Sequence, residues 1–303
     1  MLFVLFTCLL TTATVQAQTP RCGISTCSHL AASPVAAVVP GGRPTAANQA
    51  SPKIGFIGDS ITAGYNQVGG TITPGTNDAG ALTIKKLSET KACALADSGV
   101  SWQAYDQGSS GSSTADWLPG GAPSSLNARA KAAFSAAFGK PNPTANPVWV
   151  LLMLGTNDVR SDNHFTPEQH QKNLQAITED LVASGYNVVL NHAPAFVAPT
   201  RFNGVAWDAN ALTLLRSYLP GEQAVAASFA SRAPGRVFLG DTAAFGYFAA
   251  RPRLFQEYGV YGGLHPNGDG GTQALAVFWA AAFERISQGT VRPRAASLKE
   301  RMP

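Results

Sequence analysis

Ser60, in Gly58-Asp59-Ser60-Ile61-Thr62, and His265, in Leu264-His265-Pro266-Asn267, are the residues best suited to nucleophilic chemistry in this chain. A hydroxyl attacks a carbonyl poorly until a base takes its proton and hydrogen-bond donors stabilise the oxyanion that forms. Three donors suggest themselves: the N–H of Ser60 itself, the N–H of Gly108, which without a Cβ can approach a substrate closely, and the side-chain amide of Asn157 in Gly155-Thr156-Asn157-Asp158. Each has a plainer reading alone. Gly-Asp-Ser is also a helix N-cap, a loop glycine is usually a turn, and an Asn after a strand is usually a cap or Asx-turn. His192 is the runner-up base, whereas His29, His164 and His170 fall in a leader segment or beside a helix start.

Positioning these residues on one rim requires a particular set of elements. Short apolar runs at 54–57, 100–105, 148–154, 188–190 and 237–239 alternate with helical patterns, which predicts five strands in a parallel α/β sheet. Ser60, Gly108, Asn157 and His192 each follow one of these runs, and ligands of open parallel sheets bind outside the carboxyl ends of the strands. Ser60 is expected where the first strand becomes a helix, so that the helix N-terminus faces developing negative charge. Thr166, Pro167 and Gln169 mark a capped helix start, Leu174, Ile177 and Leu181 share one face, and Gly185 ends it. Leu126, Ala130, Phe134 and Phe138 mark a second helix, and Leu275, Trp279, Phe283 and Ile286 mark the last.

With 45% apolar and only 13% charged residues, the 303-residue chain has the composition of a folded protein with a sizeable core. Its formal charge of +4 is concentrated at 292–303, which carries +3, so a nucleic-acid-binding body is disfavoured. No apolar stretch reaches the length of a membrane span. Residues 2–10 are apolar and Val15-Gln16-Ala17 offers small residues to a signal peptidase, which predicts a signal peptide over 1–17 and a secreted or periplasmic product. Residues 18–52, rich in Ala and Pro, read as a leader or linker, 53–288 as the folded domain, and 289–303 as a basic disordered tail. Cleavage would leave Cys22, Cys27 and Cys93. Either a Cys22–Cys27 loop with Cys93 reduced, or Cys93 paired with one of them, is compatible with the sequence. No zinc-ligand spacing, phosphate loop or G-x-S-x-G elbow occurs.

The blocks GDSITAG at 58–64, Gly108, GTND at 155–158 and HPN at 265–267, in that order, resemble the SGNH hydrolases, the GDSL-type esterase superfamily, over about 53–288. The resemblance implies a flavodoxin-like three-layer α/β/α sandwich, hydrolysis of esters, usually of small acyl groups or lipids, and no metal or organic cofactor; a small-molecule or glycan ester is the expected substrate, with short-chain acetyl esters of carbohydrates ahead of lipids. Carried over, Ser60 is the nucleophile and His265 the base, with the Ser60 N–H, Gly108 N–H and Asn157 amide as oxyanion donors. The family usually has an aspartate three residues before the histidine, and here that place is Gly262. A main-chain carbonyl around Gly262, or the carboxylate of Glu257, Asp269 or Asp241, is left to orient the imidazole, with Asp269 and Asp241 also readable as structural caps. Two alternatives to a hydrolase are an acyl- or glycan-binding protein of low turnover and an O-acyltransferase using the same Ser/His pair.

Overall fold

In chain order the strands are β1 (Lys53–Gly58), β2 (Asn66–Val68), β3 (Thr71–Thr73), β4 (Gln103–Asp106), β5 (Val148–Met153), β6 (Asn187–Leu190), β7 (Thr200–Phe202), β8 (Val205–Trp207) and β9 (Val237–Leu239). The helices are α1 (Leu126–Phe138), α2 (Pro167–Ala183), α3 (Ala209–Ser217), α4 (Leu219–Arg232), α5 (Ala244–Ala249) and α6 (Gly271–Ser287). These come from a computed structural model, which describes residues 52–64, 66–68, 71–73, 103–120, 122, 125–202, 204–256, 262–268, 270–287 and 289. The expected signal peptide, most of the leader, Cys22, Cys27, Cys93, Glu257, Asp269 and the tail past 289 lie outside them.

Five strands form one parallel sheet in the order β4-β1-β5-β6-β9. Numbered among themselves this is 2-1-3-4-5, the doubly wound flavodoxin-like order, with its switch point between β1 and β5. β1 is central and pairs along its whole length with β5, from Lys53 opposite Val148 to Gly58 opposite Met153. Its sequence KIGFIG is apolar without alternation because helices cover both faces of the sheet.

The core is correspondingly divided in two. On one face Phe56, Leu151 and Val189 pack with side chains of α3, α5 and α6, where Phe56 stacks on Trp279 and Trp149 meets Phe283 edge-on. On the other face Ile57, Val150, Leu152 and Val188 pack with Phe134 of α1, Ile177 of α2 and Phe229 of α4. Adjacent residues of one strand feed opposite clusters, as the period-2 geometry of a strand requires, and three layers result. Each fully buried Ile, Leu or Phe contributes about 1.5–3 kcal/mol of apolar transfer free energy.

All five strands stand where the apolar runs predict, the second starting at Gln103 within the described residues. Thr166 caps α2, its hydroxyl accepting the Gln169 N–H. The start of α6 is held by Asn267, whose Oδ1 accepts the Gly271 N–H at 3.0 Å. One local expectation fails: Ser60 opens a single turn, closed by Ala63 N–H on the Asp59 carbonyl at 3.0 Å, and not a helix. Gly64, with φ 80°, ends that turn, so the macrodipole expected behind Ser60 shrinks to the amides of one turn. The antiparallel hairpins β2–β3 and β7–β8 lie outside the main sheet and carry no comparable run in the sequence.

Candidate active site

The carboxyl ends of β1 and β5 bring Ser60 and Asn157 to the two sides of the switch point. Ser60 lies on the turn after β1, where the Asp59 carboxylate accepts the Ile61 N–H at 2.8 Å and so fixes the turn. Burial pushes the Asp59 carboxyl up to about 7, against the lowering effect of the Ile61 N–H and the Thr156 hydroxyl. The Ser60 Oγ is 2.7 Å from His265 Nε2 across 205 residues of chain. That distance is a hydrogen bond, the geometry that a hydroxyl nucleophile and its base require.

His265 arrives on a loop that is bonded on both sides. Its carbonyl accepts the Gln256 N–H, Gly263 N–H reaches the Gln256 carbonyl, and Asn267 N–H reaches the Leu254 carbonyl. From the other side Val197 N–H donates to the Gly263 carbonyl and the Thr200 hydroxyl to the Gly262 carbonyl at 2.7 Å. Gly263 needs to be glycine here: its φ is +85°, and a Cβ would stand 2.9 Å from both the Thr200 Oγ1 and the Val197 carbonyl. His265 is buried, and burial pushes its pKa down to about 4. The ring is therefore neutral near pH 7, and with hydrogen on Nδ1 its Nε2 accepts the Ser60 proton.

Asn157 donates one Nδ2 hydrogen to the Ser112 carbonyl at 3.0 Å, and its own carbonyl accepts from Asn163 Nδ2 at 2.8 Å. An amide carries two such hydrogens, so one is left to act as an oxyanion donor. Ser112 in turn spans the loops, its hydroxyl reaching the Ser109 carbonyl at 2.8 Å and accepting from the Trp117 indole at 2.9 Å. Gly108 can lie beside the Ser60 turn because it has no Cβ, which would collide with the Ala63 backbone nitrogen. Its N–H, expected to face substrate, donates to the Asp106 carboxylate at 2.6 Å. In the resting structure this donor is already occupied, an Asx-type turn having taken it.

The remaining candidates separate from this centre. His192 donates through Nδ1 to the Glu222 carboxylate, 2.9 Å away, and is not brought to Ser60. Asp241 accepts the Ala243 and Ala244 N–H groups, the structural reading. Burial, partly opposed by those two amides, pushes it up to about 6. The Gly262 carbonyl takes the Thr200 hydroxyl, while Glu257 and Asp269 fall outside the described residues. Sequence reasoning missed Ser112, Thr200 and Asn267 as the residues that hold the loops. Asn267 was visible in the HPN block, but a lone Ser or Thr in a loop carries no comparable signal. Among the described residues no group of three or more His, Cys, Asp or Glu is placed to hold a metal ion. Among them too, no helix is long and apolar enough to cross a membrane.

A serine on a histidine nitrogen and an asparagine amide, all at the switch point of a 2-1-3-4-5 sheet, define an SGNH-type hydrolase. The GDSL-like lipase/acylhydrolase family profile matches residues 56–272, and the chain belongs to that family. It is a carboxylic ester hydrolase. Among solved structures, a protein described as a GDSL-like lipase from Parabacteroides merdae is 19% identical with a TM-score of 0.50, over 80% of this chain and 100% of its own. Est24, a carbohydrate acetylesterase from Sinorhizobium meliloti, is 15% identical with a TM-score of 0.49, over 80% and 100% of the two chains. The lipase/acylhydrolase from Enterococcus faecalis is 17% identical with a TM-score of 0.47, over 81% and 100%. The likeness to the Parabacteroides protein is one of fold. A search of curated proteins gives no match.

Proposed function

We propose that the protein is a serine esterase that removes short O-acyl groups, acetyl above all, from hydroxyl-rich molecules such as carbohydrates. The observation that carries the chemistry is the 2.7 Å contact between Ser60 Oγ and His265 Nε2. Ser60 attacks the ester carbonyl while its proton passes to Nε2. The tetrahedral oxyanion is met by the second Asn157 amide hydrogen and the Ser60 N–H, and by the Gly108 N–H once it leaves Asp106. Collapse breaks the ester C–O bond as His265 returns the proton to the leaving alkoxide. Water then attacks the acyl-enzyme with its proton going to Nε2, and the acid and free Ser60 are released. Gly262 stands where an acid is usual, and the loop that carries the ring is held by main-chain bonds at Gly262, Gly263, His265 and Asn267.

Two features support a short acyl group and a polar leaving group. Ser60 is only 6% exposed, which favours a compact acyl group at the hydroxyl. The rim beside it carries Ser109, Ser110, Gly111 and Arg160, whose guanidinium reaches the Gly111 carbonyl at 3.2 Å. Such a rim suits hydroxyl groups better than lipid tails.

The test is release of p-nitrophenol from acetate, butyrate and octanoate esters by wild type, Ser60→Ala, His265→Ala and Asn157→Ala. Acetate is expected to be preferred, turnover to vanish in the first two variants, and kcat to fall on the order of 10²- to 10³-fold in the third. Preference for octanoate would overturn the short-acyl reading. Wild-type protein without turnover would point to a binding protein or a strict acyltransferase. Export is part of the same proposal and rests on the apolar run at 2–10 and the small residues before 17. N-terminal sequencing of secreted material should begin at Gln18, and an intact Met1 would refute it.

A further inference from the structure

Behind the oxyanion loops lies a buried chain of ionisable groups that the proposed chemistry does not use. Asp158 follows Asn157 directly and is fully buried. Its Oδ1 accepts the Thr114 N–H at 2.7 Å, and its Oδ2 accepts the Thr114 hydroxyl at 2.7 Å. His170 Nδ1, on the first turn of α2, stands 2.7 Å from the same Oδ2. On the far side His170 Nε2 is 3.6 Å from Glu222 of α4, whose carboxylate also meets His192 Nδ1. Tyr218 stacks flat on the His170 ring, centroids 4.1 Å apart, and Asn173 donates to the Thr114 hydroxyl at 3.0 Å.

Thr114 stands two residues after Ser112, whose carbonyl receives the Asn157 amide. Asp158 thus ties the segment carrying the acceptor to the segment carrying the donor. Ser109 and Trp117 hold the Ser112 hydroxyl and Asn163 holds the Asn157 main chain, and Asp158 adds the direct tie between the two segments. Burying a carboxylate is costly unless it is hydrogen-bonded and paired, and the His170 ring is the partner placed beside Asp158.

We propose that His170 is a positioning residue for the oxyanion site: as a cation between Asp158 and Glu222 it keeps Asp158 clamped on Thr114, and so keeps the Asn157 amide aimed at the reacting carbonyl. The inference rests on the serine-esterase reading above. The groups facing the His170 ring are Asp158 from the loop after β5, Glu222 and Tyr218 at the start of α4, and His192 behind Glu222. Burial alone would discharge the ring, but the hydrogen bond to Asp158 and the charges of Asp158 and Glu222 outweigh it and push its pKa up to about 9. The same contacts hold Glu222 below its ordinary range despite burial. The cation is therefore present at neutral pH and is lost on the alkaline side.

The experiment compares kcat and KM on p-nitrophenyl acetate from pH 5 to 10.5, corrected for spontaneous hydrolysis, in wild type, His170→Gln, Glu222→Gln and Ser60→Ala. It is paired with an ¹⁵N-imidazole NMR titration of wild-type His170. Wild-type kcat should fall with an alkaline midpoint near the His170 titration, about 9, while KM stays nearly flat. His170→Gln should lose roughly 10- to 100-fold in kcat at pH 7 and lack that limb, the size expected when a group near the chemistry shifts by about an ångström. Glu222→Gln, with one carboxylate fewer facing the ring, should move the limb to lower pH. A folded His170→Gln enzyme with wild-type kcat would overturn the proposal, as would a Glu222→Gln limb that does not move. Should neither variant fold, a wild-type limb that departs from the His170 titration overturns it and coincidence supports it. Ser60→Ala keeps the two claims apart: turnover surviving there sinks the esterase reading, whereas turnover lost there with His170→Gln unaffected sinks only this inference.

Discussion

His265 and His170 are both buried and both lie at the carboxyl end of the same sheet, yet at neutral pH the first is uncharged and the second a cation. Burial acts on each in the same direction, against the imidazolium. At His265 it prevails and the ring sits near 4, while at His170 two carboxylates reverse it and the ring sits near 9. The difference matches what each can do. A neutral ring 2.7 Å from a hydroxyl can accept a proton, whereas a ring already protonated between two anions can only hold them in place. The linkage to stability has opposite signs as well. The His170 contribution is fully present below an unfolded pKa of about 6.5 and is lost as pH rises through its folded value of about 9. The His265 contribution is present above the unfolded value and is lost as pH falls towards about 4.

The largest effect that would break this contrast is on turnover. If Ser60 and His265 act as one unit, Ser60→Ala and His265→Ala each cost on the order of 10⁴-fold or more in kcat/KM, and the double variant costs little beyond either. Additive losses in the double variant would mean that the two residues work separately. Next in size is a loss of stability confined to the other region. Glu222 is buried and serves both His170 and His192, so Glu222→Ala strands charge in the interior. A cost of about 3–5 kcal/mol in urea unfolding at pH 7 is expected, shrinking at pH 10 where His170 has lost its proton. A cost independent of pH would assign Glu222 a packing role only.

How far each region was legible in the sequence follows from the range of the interactions that build it. The five strands were legible because a strand buried on both faces is an unbroken apolar run, as in Ile54 to Ile57. Ser60, His265 and Asn157 were legible because each lies in a short block with residues of fixed order. The turn after Ser60 was misjudged as a helix since Gly64 and the Ala63 to Asp59 bond are local features that a capping pattern does not distinguish. Gly108 was located correctly, but the capture of its N–H by Asp106 is a side-chain geometry two residues away that spacing cannot show. The Asp158, His170, Glu222 and His192 chain was illegible for a different reason. Its members come from a loop, two helices and a strand end, the other three lying 12, 34 and 64 residues after Asp158, and no local pattern joins them.

A smaller effect sharpens the contrast between the two histidines through pH alone. The base must be neutral to work, so kcat/KM should fall only as pH drops towards about 4 and should remain near its plateau at pH 6. An ordinary imidazole would have lost most of its activity by then, with a midpoint near 6.5. A midpoint at the ordinary value would show that His265 is less desolvated in the working enzyme than in the resting one. Since His170 is protonated throughout this acid range, His170→Gln should leave the acid midpoint in place.

The smallest expected effect concerns the charge that has been left beside the nucleophile. Asp106 accepts the Gly108 N–H at 2.6 Å, so a carboxylate holds the hydrogen that the oxyanion would use. A charge-assisted bond is stronger than a neutral one, and the oxyanion must compete with it for the same hydrogen. Asp106→Asn keeps an acceptor oxygen at the same position in the turn and removes the charge. If the Gly108 N–H serves the transition state, kcat should rise, by less than about tenfold, because one donor of three becomes easier to recruit. KM should change little, since the ground-state carbonyl carries no full charge. A fall in kcat would show instead that the carboxylate is needed to hold the 106–108 turn against Ala63, and that Asn157 and Ser60 supply the oxyanion donors by themselves. Measured beside His170→Gln, the variant asks the same question of both regions: whether a buried or half-buried charge is there for the reaction or for the scaffold behind it.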